Sequence, residues 1–138
     1  MAKLRKEKLL PRIVSETQVM ELVKSKSINW RHIQRLKALT SQSDERLSTW
    51  LGINVKTLRS YRDLKKQVTG SISEHIVLLL SLFRHGGEVF GSKEDFDTWL
   101  IAENFFFDGN SPDSYLNIIS GIRFIDNRLT AMEYGDNV

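Results

Sequence analysis

From Asp44 to Arg62 the chain reads DERLSTWLGINVKTLRSYR. Two short helices packed across a tight turn restrict residue type at several of these positions at once. The turn needs a glycine or another small residue, and Gly52 stands there. The preceding helix needs a small side chain against its partner, and Ser48 lies four residues earlier. The following helix needs an apolar residue aimed back at the first, and Leu58 lies six residues after the glycine. Leu47, Leu51 and Ile53 supply the rest of a local core. The stretch therefore reads as a helix-turn-helix. With Leu58 and Tyr61 turned inward, Lys56, Thr57, Arg59, Ser60 and Arg62 are left facing outward. In a DNA complex the second helix enters the major groove with its N-terminal residues foremost. Lys56 and Thr57 are then expected at base edges, Arg59 at either base or phosphate, and Arg62 at phosphate, the more numerous class of contact. A plain helical hairpin with a solvated basic face has the same pattern.

Charge favours the first of these alternatives. Residues 1–69 hold 16 basic and 6 acidic residues, a net of +10, whereas residues 70–138 hold 4 and 11, a net of −7. The formal +3 of the whole chain conceals this split. Opposite halves point to two different partners. The basic half suits nucleic acid, because neutralised phosphates supply most non-specific affinity. A bilayer surface is a poorer fit, since no helix combines a basic face with a wide apolar one. The longest apolar run, Ile76 to Leu80, is far short of the roughly 20 residues that span a bilayer. The charged start of the chain lacks the apolar core of a signal peptide, so a cytoplasmic protein is expected.

The rest of the chain is helical in pattern, with two prolines, eight glycines and no alternating β-branched run. Residues 1–12 form a basic lead-in expected to be loose. Short helices follow over Glu16 to Lys24, after Asn29 acting as an N-cap, after Ser43 and after Asn54. A longer helix starts at Ser71 or Ser73, and Ser92 caps the next. Phe105 to Asn110 is expected to be a loop. Ser111-Pro112 combines an N-cap with proline at the first helical position, and the last helix carries Ile122, Ile125, Leu129 and Met132. The expected architecture is all-α. Residues 1–27 form a basic arm and short helix, 28–69 the helix-turn-helix region, and 70–138 a linking helix with a small helical module.

That second module carries an ordered set of motifs: Val89-Phe90-Gly91, Trp99-Leu100, NFFFDGNSP over 104–112, Gly121, and LTAMEYG over 129–135. The set resembles the toxin-binding domain of Xre/MbcA/ParS-type antitoxins. Residues 28–62 resemble that family's Xre-like helix-turn-helix. Two departures stand out: Asp108 replaces the first of two adjacent loop glycines, and Phe105 occupies a position where proline is common. The resemblance implies a type II antitoxin that binds and blocks a cognate toxin, often a RES-type enzyme that consumes NAD. It also implies a homodimer that represses its own operon by binding operator DNA. Carried over residue by residue, Gly109, Asn110, Ser111 and Pro112, with Glu133, Tyr134 and Gly135, become toxin-contact candidates. An acidic module would complement a basic pocket in such a partner. Phe105-Phe106-Phe107 admits two readings, an exposed hot spot or core packing for two of the three. Trp99 reads as core.

Signals for catalysis are missing. There is no cysteine, so no thiol nucleophile or thiolate metal site exists. His32, His75 and His85 lack ligand spacing and read as surface or helix-face residues, so neither a metal nor a cofactor is expected. GGEVFGSK over 86–93 has its lysine after the serine, the reverse of a phosphate-binding loop, and reads as helix punctuation. Glu94-Asp95 reads as a helix start favoured by the helix dipole. Two alternatives stay open: a helix-turn-helix regulator whose C-terminal half serves only dimerisation, and an adaptor that no longer binds DNA.

Overall fold

The computed structural model of the chain describes residues 16–135; the basic lead-in over 1–12 lies outside them. Every regular element among the described residues is helical. In order they are α1 (Glu16–Lys24), α2 (Trp30–Leu39), α3 (Asp44–Leu51), α4 (Val55–Ser60), α5 (Gly70–Phe90), α6 (Lys93–Ile101), two 3₁₀ turns (Phe105–Phe107 and Pro112–Tyr115), and α7 (Ile119–Glu133).

Most starts are set by side chains that accept orphan N–H groups. Asn29 accepts from the Arg31 N–H at 2.9 Å, Ser43 from Arg46 at 3.2 Å, Asn54 from Thr57 at 2.7 Å, and Ser92 from Asp95 at 3.1 Å. Between α3 and α4 the chain reverses at Gly52, whose φ of 70° lies in the left-handed region that a residue with a Cβ avoids. The Ile53 N–H closes the turn on the Ser48 carbonyl at 3.1 Å.

The centre of the molecule is α5. Over residues 75–83 it is buried on every side, and such a stretch is stable only when surrounded. It packs against α1, α2, α3, α6 and α7. Ile76, Leu79 and Leu80 are wholly enclosed, and each such side chain contributes roughly 1.5–3 kcal/mol. The rings of Trp50, Phe83, Phe96 and Trp99 run through this core with neighbouring centroids 5.4–6.0 Å apart. One continuous cluster therefore takes in Ile33, Leu36, Leu47 and Leu58 from the basic half and Phe96, Leu116, Ile125 and Leu129 from the acidic half.

Three local expectations are corrected. The long helix begins at Gly70, one residue before the earlier of the two expected starts. The punctuation expected over 86–93 falls at Gly91, where the helix stops after running through Gly86 and Gly87. Gly86 is there for close packing, because a Cβ would lie 2.4 Å from the Phe96 ring. The expected loop from Phe105 opens with a 3₁₀ turn, and Ser111-Pro112 starts a second one, while the last helix waits until Ile119.

Candidate functional site

The five outward candidates of the helix-turn-helix occupy α4 and the turn after it, and they differ in freedom. Lys56 is exposed and Thr57 half-buried, with the Thr57 N–H taken by the Asn54 cap. Arg59 is held back over the start of α3, with Nε 3.3 Å from Asp44 and a terminal nitrogen 3.7 Å from Glu45. Asp44 also binds Lys37 at 2.9 Å. The Lys37 hydrogen bond, its charge and Arg59 lower the Asp44 pKa against the opposing effect of burial. Ser60 Oγ donates to the Thr57 carbonyl at 2.6 Å and accepts from Lys66 at 2.7 Å. The Arg62 guanidinium lies 5.9 Å from the centre of the Trp30 ring, which Lys37 also approaches at 5.5 Å. Lys56 thus projects with Thr57 at the start of a short helix. Arg59, Ser60 and Arg62 have partners within the chain.

The C-terminal candidates fall into two groups on separate elements. Gly109 to Pro112 belongs to a loop closed by its own backbone. The Asn104 N–H donates to the Asn110 carbonyl at 3.1 Å, the Gly109 N–H to the Asn104 carbonyl at 3.0 Å, and the Asn110 N–H to the Phe107 carbonyl at 2.9 Å. Asp108 takes a φ of 55°, a left-handed conformation that aspartate tolerates better than most residues. The substitution of Asp108 for glycine is accommodated in that way. Pro112 is buried, and Ser111 Oγ donates to Asp113 at 2.6 Å. The second group ends α7: Tyr134 is exposed, while the Glu133 carboxylate is bound to Nε2 of His85.

Of the phenylalanine triplet only Phe107 enters the core, so core packing for two of the three is not what the turn allows. Phe105 is 92% exposed and Phe106 47% exposed. Trp99 is core, as expected.

Three polar constellations escaped the sequence. His85, read from sequence as a surface or helix-face residue, is fully buried, with Nδ1 2.6 Å from Asp126 and Nε2 against Glu133. Burial opposes its charge, but hydrogen bonds and attraction from the two carboxylates prevail and raise its pKa. His75 is buried too; desolvation lowers its pKa despite a 2.7 Å contact with the Leu116 carbonyl. The second constellation is the joint between the halves. Buried Asp97 on α6 accepts from Thr40 Oγ at 2.9 Å, Ser41 N–H at 2.8 Å and Ser41 Oγ at 2.7 Å. The third, the Arg46 ion pair with Asp113, joins α3 to the second 3₁₀ turn beside an open cleft. Asp126 and Glu133 are seven residues apart on one helix, so their shared face is visible in the sequence; their histidine, 41 and 48 residues away, is not.

Residues 85–135 match the family model of the antitoxin Xre/MbcA/ParS C-terminal toxin-binding domain. That span starts at His85 within α5 and ends at Gly135, and it includes the closed loop, both 3₁₀ turns and α7. No curated protein sequence matches the chain. A toxin-binding domain of this type implies a cognate toxin as partner.

Proposed function

We propose that the chain is the antitoxin of a type II toxin–antitoxin pair: its C-terminal half binds and neutralises a cognate toxin of the NAD-consuming RES type, and its helix-turn-helix binds operator DNA to repress the operon. The observation that carries the reading is the toxin-binding domain over residues 85–135. The DNA arm is supported by the turn at Gly52, the enclosed Leu58 and the net charge of +10 over residues 1–69. A homodimer would place two α4 helices on successive half-sites. The contact candidates are Lys56, Thr57, Arg59, Ser60 and Arg62 for DNA, and Gly109 to Pro112 with Glu133 to Gly135 for the toxin.

A second reading, an adaptor that no longer binds DNA, is favoured by one observation: Arg59 is already paired with Asp44 and Glu45. A mobility-shift assay with the chain's own upstream DNA decides between them. Binding should weaken as salt rises, with a log–log slope of about −0.9 per phosphate neutralised. Replacing Lys56 and Arg59 together with alanine should abolish the shift while rescue from toxin-induced growth arrest persists. No shift by the wild-type chain at low salt removes the operator from the proposal. Failure to rescue growth from the product of the adjacent co-transcribed gene removes the toxin.

A further inference from the structure

The most exposed large apolar side chain among the described residues is Phe105, at 92%. It stands on the closed loop, not on a frayed end. Asn104 caps the turn by accepting from the Phe106 N–H at 2.9 Å, and the loop's backbone bonds hold both flanks. Phe106 lies beside it, ring centroids 6.2 Å apart, with the Arg128 guanidinium 3.6 Å over its face. Four residues back along α7, half-exposed Phe124 stacks edge-on against buried Phe107 at 5.4 Å. Two ring pairs, Phe105–Phe106 and Phe107–Phe124, thus mark a ledge built by the turn and α7. An aromatic side chain has few rotatable bonds and loses little conformational entropy on binding, and such anchors carry most of the energy of an interface.

We propose that Phe105 and Phe106, on this ledge, are the anchor by which the chain grips its toxin, and that the loop Gly109 to Pro112 acts mainly as their scaffold. The occupant is a protein surface with an apolar cup rimmed by basic side chains. This rests on the toxin-binding reading above and assigns the contact within it. Charge selects the partner. Exposed Glu103 and Asp108 flank the triplet, against the one guanidinium of Arg128, in a half of net −7. A second copy of the chain docked through the same patch would oppose these carboxylates to themselves, because a two-fold interface pairs each patch with its own copy. Phosphate of a nucleic acid would be repelled in the same way. A basic protein rim is attracted, and that attraction speeds encounter and excludes wrong partners.

The test uses the full chain and the purified product of the adjacent co-transcribed gene, titrated by calorimetry. Phe105→Ala/Phe106→Ala should raise Kd by about 100-fold or more, with circular dichroism unchanged and the melting temperature lowered only slightly, because Phe105 is almost wholly exposed and Phe106 half-buried. Tyr134→Ala, at the other candidate contact, should raise it less. Glu103→Gln/Asp108→Asn should slow association and reduce its salt dependence. The proposal is overturned if the wild-type chain binds and the double phenylalanine variant stays within threefold of it; toxin binding then stands, through another surface. It is also overturned if the double variant turns a wild-type dimer into a monomer in light scattering, which would assign the ledge to self-association. No binding by the wild-type chain overturns this proposal together with the toxin reading on which it rests.

Discussion

His85 shows what one side chain can do for the end of a helix. Both ring nitrogens face carboxylates, and both can donate only when the ring is charged. The raised pKa fixes the sign of the pH dependence. The stabilisation is complete below the ordinary histidine value of about 6.5 and is lost as pH rises through the higher folded value. His32 and His75, whose pKa values burial lowers, act in the opposite direction, costing stability as pH falls below about 6.5. The comparison of wild type with His85→Gln isolates the first effect. At pH 6 the variant should be less stable by about 2 kcal/mol, since two partly buried carboxylates lose their counter-charge. By pH 9 the gap in urea midpoints should have narrowed; a gap independent of pH would mean that folding leaves the ring's pKa unshifted. The sequence shows the residues whose constraints are local: Gly52 at its turn, Ser48 and Leu58 at their packing distances, Asn29 at its cap. It does not show His85 or Asp97, whose partners are brought in by the long helix and by tertiary packing.

The α-helices were largely legible because capping and a 3.6-residue apolar period act over a few residues. The two 3₁₀ turns were not. With bonds three residues apart and only one turn of length, they carry no amphipathic stripe, and three consecutive phenylalanines in such a turn cannot all face the core. Only Phe107 does, which is why the aromatic ledge is a product of the turn. Gly121 belongs to the same scale. A Cβ there would lie 1.8 Å from the Tyr115 carbonyl oxygen, so α7 can approach the second 3₁₀ turn this closely only without one. Gly121→Ala should therefore move backbone and not merely a side chain, and cost about 2–3 kcal/mol. Thermal unfolding measures the loss, and toxin affinity should fall with it if α7 and the turns form the docking surface. A variant as stable as wild type would show that α7 can shift outward freely.

Two oppositely charged halves invite a picture of two independent modules joined by a linker helix, yet the packing makes that helix their common core. The apolar faces of α2 and α3 rest on α5, and Trp50 meets Phe83 at 5.5 Å. Asp97 binds the segment just before α3, and Arg46 pairs with Asp113 across the same joint. Charge segregation is therefore a property of the surface and says little about where the chain divides inside. A fragment ending at Thr69 would expose Ile33, Leu36, Leu47 and Trp50 at once, and so few residues seldom hold a core after losing its centre. It should be unfolded by circular dichroism. The intact chain should melt in one transition, with tryptophan fluorescence and far-ultraviolet ellipticity coinciding. Two separated transitions, or a folded fragment, would restore the picture of independent modules. If the single transition holds, truncation cannot separate the two proposed functions, because it removes the fold before it removes a contact. They have to be separated with exposed side chains whose loss leaves the core intact, Lys56 on the DNA side and Phe105 on the toxin side.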